Sequence, residues 1–199
     1  IQELDPADYF KILPLIAQHQ NLKFLVLSGH FGDAIPLEFL QELIEYTQKK
    51  KIKVLIDSKG IGLRNAFDIG VFLIKPNKRE FEMMVGENCP DLASLKAKGQ
   101  AYISNSATEN ILISLGKEGA LLINKSQTLF FQAPTIEQKN SVGAGDSLLA
   151  GVILKLAEGQ SIENSIEFGV LCGAATAMQD QHHFCTMEAI EKLKGSGIN

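Results

Sequence analysis

The chain has 199 residues, enough for one large α/β domain with a buried core or for two small ones. Hydrophobic residues make up 45% and charged residues 21%, and the net charge of -4 gives no reason to expect nucleic acid or an anionic membrane as the main partner. No apolar run approaches the ~18 residues of a membrane span. The first ten residues, IQELDPADYF, lack the basic and apolar regions of a signal peptide, and the missing initiator Met suggests a processed, cut or partial chain.

Short apolar runs alternate with amphipathic stretches over the first half of the chain. Nearly continuous runs are typical of strands buried on both faces, and they predict strands at 23–28, 52–57, 71–75 and 110–116. The stretch PLEFLQELIEYTQKKK (36–51) begins with proline, keeps its apolar side chains mostly on one side and ends in lysines, which predicts a helix. This alternation indicates βαβ units and a parallel sheet.

The second half changes from strands to helices. KEGALLIN (117–124) and TLFFQA (128–133), separated by polar residues, predict an antiparallel pair near one edge of the sheet. Helices are predicted at 143–159, at 161–179 with Ser161 as the N-cap, and at 187–194. Since no repeat, low-complexity tract or linker interrupts the chain, we expect a single α/β domain over 1–199 with a central, mainly parallel sheet.

The cysteines and two neighbouring histidines give little sign of a metal site. Cys89, Cys172 and Cys185 are odd in number and lack C-x-x-C spacing, so we expect reduced thiols in a cytoplasmic protein. His182 and His183 lie near Cys185 without a fourth ligand at metal spacing, and we interpret them as loop residues.

Five polar junctions, four of them with glycine, follow the predicted strands or open a helix. They read LSGHFGD, IDSKG, IKPNKRE, SLGKEG and NSVGAGD. Ligands of open α/β sheets bind at the carboxyl ends of the strands. We therefore expect the functional site where these junctions converge.

The junction NSVGAGD places Gly143, Ala144, Gly145 and Asp146 at the start of a predicted helix. Small residues leave the backbone amides uncovered, and the positive end of the helix suits a phosphate or a transferring phosphoryl group. Asp146 in the first turn is able to accept a proton from an attacking alcohol. Alternatively, an aspartate there only stabilises the helix. The sequence contains no G-x-x-x-x-G-K-[ST] motif, which excludes a P-loop.

Two further junctions each allow a functional and a purely structural interpretation. Asn77 and Glu80, spaced i, i+3, bring an amide and a carboxylate to one face of a helix and suit a nucleotide-bound Mg²⁺, or they form a turn with an N-cap and a surface glutamate. SLGKEG (114–119) either cradles phosphates and borders a base, or is a hairpin turn.

Together these stretches resemble the ribokinase-like sugar kinases of the phosphofructokinase B type. NSVGAGDSLLAG (140–151) is similar to the C-terminal signature of that family, commonly D-T-V-G-A-G-D-x-F-x-x-G, and NKRE (77–80) is similar to its N-x-x-E magnesium motif. KPNKRE, DSKGIGLRNA and ISLGKEGALL resemble the phosphohexose branch, which includes the minor 6-phosphofructokinase, 1-phosphofructokinase and tagatose-6-phosphate kinase. The resemblance runs from about residue 25 to about residue 193.

The resemblance implies a three-layer ribokinase-like fold with helices on both faces of the sheet, and ATP-dependent phosphorylation of a sugar or sugar phosphate. It makes Asp146 the general base and the amides of Gly143, Ala144 and Gly145 the anion hole. It implies that Asn77 and Glu80 serve Mg²⁺ and the phosphates. The residues that it places beside the nucleotide are Lys75, Ser114, Leu115, Gly116, Lys117, Glu118 and Gly119.

The resemblance also implies a monovalent cation site and a dimer. Asn140 and Val142 match positions whose oxygens hold a cation such as K⁺ in some relatives. The family's N-terminal part carries a substrate-binding Asp, a Gly-Gly motif and a β-sheet lid that dimerises, and nothing here corresponds to it. We therefore interpret the chain as the C-terminal two thirds of such a kinase, expect a homodimer in the full-length protein, and expect little or no activity from the fragment.

Two motifs depart from the family pattern. Where phosphohexose kinases have S-G-S-L-P-P-G, this chain has SGHFGD, so that His30, after Gly29, replaces the hydroxyl expected to contact the sugar phosphate. The N-Q-G near the adenine site reads QDQ (179–181). Retention of Asp146, Asn77 and Glu80 favours an enzyme, whereas the altered SGHFGD favours the alternative, a nucleotide-binding module that no longer catalyses.

Overall fold

A computed structural model describes residues 6–29, 35–180 and 183–195. The elements in chain order are α1 (Pro6–Phe10), α2 (Ile12–Ala17), β1 (Phe24–Ser28), α3 (Leu37–Lys49), β2 (Lys53–Asp57), α4 (Ile61–Ile69), β3 (Leu73–Ile74), α5 (Lys78–Val85), α6 (Leu92–Ser104), β4 (Asn110–Ser114), a 3-10 turn (Gly116–Glu118), β5 (Gly119–Asn124), β6 (Thr128–Gln132), α7 (Ala144–Ala157), α8 (Ile162–Ala177) and α9 (Met187–Gly195). Every predicted strand and helix is present, with ends that differ by at most two residues.

The six strands form one sheet in the order β1-β2-β3-β4-β5-β6. Strands β1 to β4 pair in parallel, with Ser28 opposite Asp57 and Ile74 opposite Ile111. β5 and β6 are neighbours joined by only three residues, and so short a connection requires antiparallel pairing. The predicted α/β class with a mainly parallel sheet is confirmed.

Strand β3 is shorter than the predicted 71–75. The chain leaves α4 at Gly70 with a φ of 103°, and the Val71 N–H donates to the Thr108 hydroxyl, 3.2 Å away, instead of to a strand. Pro76 follows two residues after β3 and has no N–H for a ladder. Only Leu73 and Ile74 therefore pair with both neighbouring strands, β2 and β4.

Helices α1, α2, α4 and α6 were not predicted from the sequence, and α5 was only conditional. Helix α6 was missed because Gly99 lies in its middle, and a glycine within a helical pattern indicates an interruption. A β-carbon on Gly99 would lie 2.1 Å from Cδ1 of Ile123. Close packing on β5, not helix propensity, explains the glycine.

The described residues divide into two compact units, one within 6–113 and 123–128 and the other within 114–122 and 129–195. The core of the first unit contains Leu43, Leu55, Leu73, Phe81 and Ile111, each with at most 1% of its surface exposed. In the second unit, α7 and α8 lie so close at Gly169 that a β-carbon there would be 2.6 Å from the Leu148 carbonyl oxygen. The single-domain interpretation stays a prediction.

No helix within the described ranges is both long and apolar enough to cross a bilayer.

Candidate active site

The start of α7 is capped by a glycine instead of by a side chain. Gly143 has a left-handed backbone, with φ of 78°, and no described side chain hydrogen-bonds to this helix end. A β-carbon on Gly143 would also lie 2.7 Å from Cε1 of Phe184, whose side chain covers this position while 61% of its surface stays exposed. Both the backbone conformation and the close approach of the ring favour glycine here.

The glycine cap leaves two amides for a ligand. A capping side chain normally accepts from the second or third amide of a helix, and at α7 these belong to Gly145 and Asp146. The Ala144 N–H donates to the Ser141 oxygen, 3.3 Å, and the Ser147 N–H donates to the Gly143 oxygen, 2.8 Å. The Ala144 amide of the predicted anion hole is thus bonded within the chain, and the role of Gly143, Ala144 and Gly145 as that anion hole stays a prediction. The uncapped end of a 14-residue helix is suited to bind an anion.

Asp146 is exposed in the first turn of α7, and no described residue forms an ion pair with it. Its neighbour Ser147 is buried, and the Ser147 hydroxyl oxygen accepts a 2.7 Å hydrogen bond from the Thr176 hydroxyl on α8. This bond fixes the first turn of α7 from the inside. The carboxylate outside it is accessible to a substrate hydroxyl.

A cavity of about 200 Å³ lies against the same helix start. One liquid water occupies about 30 Å³, so the cavity has room for a planar ring system. Its walls include six residues that the sequence predicted for the site, from two separate motifs: Ser114, Gly116, Lys117, Gly119, Ala144 and Gly145. The structure therefore brings the SLGKEG and GAGD junctions together.

The SLGKEG junction is both a turn and a cavity wall, so the two interpretations of this motif are compatible. Leu115 N–H donates to the Gly119 oxygen, 2.9 Å, which closes the turn between β4 and β5. The Glu118 oxygen accepts from the Ala133 N–H, 3.1 Å, and holds the segment after β6 beside the turn. Gly119 has φ of 122°, and a β-carbon there would lie 1.9 Å from the Phe131 oxygen.

Most of the remaining cavity wall was missed by sequence reasoning. These residues come from the segments before α7, from α7 and from α8: Ala133, Pro134, Ile136, Gln138, Ser141, Leu148, Val170, Gly173, Ala174 and Ala177. The run GAATA in α8 was an available signal, because small side chains on a buried helix leave space beside it. At Gly173 a β-carbon would lie 3.1 Å from the Ala144 oxygen, so a larger residue would crowd the start of α7.

Asn77 and Glu80 form a capping box at the start of α5. The Asn77 side-chain oxygen accepts from the Glu80 N–H, 2.9 Å, and Oε2 of Glu80 accepts from the Asn77 N–H, 2.8 Å. Asn77 is therefore the N-cap of α5, as one of the two interpretations of this pair predicted. Glu80 keeps its second carboxylate oxygen, and an amide oxygen plus a carboxylate fit a hydrated Mg²⁺. Their role as metal residues stays a prediction.

Lys75 lies at the carboxyl end of β3 in a largely buried ion pair. Its Nζ is 3.0 Å from Oδ1 of Asp57 at the end of β2, and the exposed fractions of the two side chains are 7% and 17%. Sequence reasoning named Lys75 and missed Asp57, although Asp57 stands in the IDSKG junction. Because both charges are largely buried, each one requires a partner of opposite charge.

The remaining predicted residues have separate surroundings. Gly29 follows β1 with φ of 114°, and its N–H donates to the Asp57 oxygen, 3.0 Å. The side-chain oxygen of Asn140 accepts from the Val142 N–H, 3.0 Å, which forms a tight turn before α7. The binding of a monovalent cation by Asn140 and Val142 stays a prediction. His30 lies outside the described residues.

The interpretation of the histidines as loop residues concerns His182 and His183. His182 lies outside the described residues, and His183 is exposed between α8 and α9. No group of three or more His, Cys, Asp or Glu side chains that suits a metal occurs in the described part of the chain.

Comparison with known proteins identifies clear relatives. A family model described as pfkB family carbohydrate kinase matches residues 9–188. The chain is 31% identical over 191 residues to ATP-dependent 6-phosphofructokinase isozyme 2 of Escherichia coli (strain K12), and 28% identical over 190 residues to 1-phosphofructokinase of Bacillus subtilis (strain 168). A solved structure of phosphofructokinase-2 from Escherichia coli in complex with potassium superposes with a TM-score of 0.88 at 28% identity.

These relatives are longer than the chain. The two sequence alignments cover 96% of this chain and 62% of each relative. The structural match covers 97% of this chain and 63% of the solved one.

Proposed function

The chain belongs to the pfkB family of carbohydrate kinases, and from this premise we propose that the protein that contains it transfers a phosphoryl group from ATP to a hydroxyl of a sugar or sugar phosphate. One observation carries the proposal. The glycine-capped start of α7 presents free amides, an exposed carboxylate on Asp146 and a neighbouring cavity within a single compact unit. An anion site, a base and room for a ring are the parts that phosphoryl transfer from a nucleotide requires.

The cavity suits the base of the nucleotide. Ala133, Pro134, Ile136 and Val170 give it apolar walls, which favour a planar heterocycle. Lys117 adds a cation to the lining, and a cation is suited to the phosphates. The amides of Gly145 and Asp146 would then hold the charge of the transferred group.

Asp146 supplies the proton acceptor. As the acceptor hydroxyl attacks phosphorus, its proton passes to the Asp146 carboxylate, the new oxygen–phosphorus bond forms, and the bond to the ADP oxygen breaks. Negative charge builds up on the phosphoryl oxygens during this step. The amides at the start of α7 are fixed in advance and stabilise that charge without reorganisation.

Ions complete the proposal. Asn77 and the second carboxylate oxygen of Glu80 would hold Mg²⁺ through water, and Mg²⁺ when bound neutralises phosphate charge. Asn140 and Val142 would supply oxygens to a monovalent cation, and potassium is present in the solved structure of the Escherichia coli relative.

A phosphohexose is the acceptor that we favour. Both sequence relatives are named as kinases of fructose phosphates. His30 would contact the sugar phosphate as imidazolium through charge-assisted hydrogen bonds. We further propose that the full-length protein is a cytoplasmic homodimer.

The test is a coupled ADP-release assay with the full-length protein, Mg·ATP and four acceptors: fructose 6-phosphate, fructose 1-phosphate, tagatose 6-phosphate and free fructose. We expect one of the phosphohexoses to give the highest kcat/KM. Nucleotide binding with no sugar-dependent ADP release would instead support a non-catalytic binding module. A His30→Ser variant that gains activity toward phosphohexoses, with free fructose best in the parent protein, would contradict the role given to His30.

A further inference from the structure

Two of the three cysteines lie against each other in the second unit. Cys172, on α8, is buried with 3% of its surface exposed, in a cluster with Phe168, Leu171 and Ile190. Cys185, in the segment between α8 and α9, is half-buried and packs against the same cluster. The Cys185 N–H donates to the hydroxyl oxygen of Thr176, which lies about one turn of α8 after Cys172, so the two cysteines are neighbours. Neither forms a disulfide in this structure.

We propose that Cys172 and Cys185 form a redox modification site, at which a low-molecular-weight disulfide converts the two thiols into an intramolecular disulfide. The packing of both residues in one cluster carries this inference, because a disulfide needs its two side chains close together. The difference in exposure assigns the order of events. Cys185 is only half-buried and is accessible to a small reagent, whereas Cys172 is buried.

The reaction takes place in two thiol–disulfide exchanges. The Cys185 thiolate attacks one sulfur of the reagent RSSR, which forms a mixed disulfide and releases one RS⁻. The Cys172 thiolate then attacks Sγ of Cys185, which forms the Cys172–Cys185 bond and releases the second RS⁻. The two protein thiols lose two electrons to RSSR, and their two protons end on the two RSH products.

The second exchange is the slow one. Burial, with a smaller contribution from the neighbouring Cys185, raises the pKa of Cys172 to about 12, while Lys155 on α7 and Lys194 on α9 act in the opposite direction by smaller amounts. Cys172 is therefore protonated near neutral pH. Because the thiolate fraction below the pKa grows about tenfold per pH unit, ring closure should accelerate about tenfold for each unit of added pH.

The new bond would act on the start of α7. The Cys185 N–H donates to the Thr176 hydroxyl oxygen, 2.9 Å, and that hydroxyl in turn donates to Ser147 beside Asp146. Phe184, next to Cys185, covers Gly143. A disulfide draws its sulfurs to about 2.05 Å, and since Cys172 is held in a buried helix, the segment that contains Cys185 must move.

The test incubates the native full protein with oxidised glutathione at a series of pH values from about 7 to about 9, quenches with acid, and maps the peptides by mass spectrometry. We expect glutathione on Cys185 first, then a cross-link between the Cys172 and Cys185 peptides whose formation rate rises about tenfold per pH unit. Cys172→Ala should stop at the mixed disulfide, and Cys185→Ser should give neither product.

Cys89→Ser is the matched control, because Cys89 is a buried cysteine of the first unit. This variant should form the cross-link at the parent rate. The proposal is overturned if glutathione stays on Cys185 across the whole pH series without closure, if Cys185 does not react in the native protein, or if a cross-link to Cys89 forms instead.

Discussion

The first backbone amides of a helix need hydrogen-bond partners, and the starts of α7 and α5 meet this requirement in opposite ways. Helix α5 begins at Asn77, which with Glu80 closes a complete capping box. Helix α7 begins at Gly143, which has no side chain to offer. Both ends carry the positive pole of a helix dipole, so both attract anions. Of these two helices, only α7 leaves the amides that a cap would satisfy for an external partner.

The difference shows that a polar motif at a helix start does not by itself identify a binding site. In α5 the motif N-x-x-E fulfils its own hydrogen bonds, and any metal has to use oxygens that are left over. In α7 the glycine cap gives up roughly a few tenths of a kcal/mol of stability relative to a capping side chain. Such a loss makes sense where a ligand supplies the missing hydrogen bonds.

The largest effect is expected at Asp146. Asp146→Asn in the full-length protein removes the proposed proton acceptor but keeps the shape of the helix start, so kcat should fall by about 10²–10⁴-fold. The dissociation constant of a non-hydrolysable ATP analogue, measured by calorimetry, should change little, because the phosphate-binding groups at α7 are backbone amides. Near-normal turnover in the variant would remove Asp146 from the mechanism.

A smaller effect separates the helix-capping role of Asn77 from its proposed Mg²⁺ role. Asn77→Ala removes a helix cap, which should cost about 1 kcal/mol of unfolding free energy, and it should also raise the Mg²⁺ concentration needed for half-maximal activity by about tenfold or more. Asp91→Ala is the matched control, since Asp91 and Ser94 form an equivalent capping box on α6. The control should lower Tm but leave the Mg²⁺ requirement unchanged. If both variants need the same Mg²⁺ concentration for half-maximal activity, Asn77 acts only as a helix cap.

Gly143→Ala tests the uncapped end itself. Gly143 and Gly159 both have left-handed backbones, with φ of 78° and 84°, so alanine at either position should cost about 1 kcal/mol. Only at Gly143 does the new methyl group meet Phe184, whereas no atom lies within 4 Å at Gly159. Gly143→Ala should therefore weaken binding of the ATP analogue severalfold, and Gly159→Ala should not. Equal affinities of the two variants for the ATP analogue would contradict the assignment of the start of α7 as the phosphate site.

The smallest effect concerns the cap of α6. The amide and the hydroxyl of Ser94 hydrogen-bond to Asp91 and lower its pKa. A carboxyl with a lowered pKa stabilises the fold above its unfolded pKa of about 3.9, and this contribution is lost as the pH falls through the folded value. The Tm difference between the parent protein and Asp91→Asn should therefore shrink as the pH is lowered from about 5 to about 3. A difference that stays constant would mean that Asp91 is not bonded as a carboxylate.

The sequence was sufficient to predict the sheet and the α7 motif. Apolar strands and helical periods have local signatures, and small residues before an aspartate mark an open helix start without any tertiary information. Asp57 could not be found in this way, because its partner Lys75 is 18 positions further along and only strand pairing brings the two side chains together. The walls at Ala133, Pro134 and Val170 were missed for the same reason.

The capping box at Asn77 shows a second limit. The spacing of Asn77 and Glu80 is the same for a cap and for a metal site, so no sequence pattern distinguishes them. Helix α6 was missed because a glycine reads as an interruption when its packing partner, Ile123, is unknown. For α6 the deciding contact, between Gly99 and Ile123, joins residues far apart in the chain.

The most direct test of the open helix start is nuclear magnetic resonance of the full-length protein with isotope-labelled glycine and aspartate, titrated with a magnesium complex of a non-hydrolysable ATP analogue. The amides of Gly145 and Asp146 should show large downfield shifts as they donate to phosphate, and the same shifts should be absent in a titration with adenosine. Nucleotide binding that leaves both amides unshifted would contradict the assignment of this end of α7 as the phosphate site.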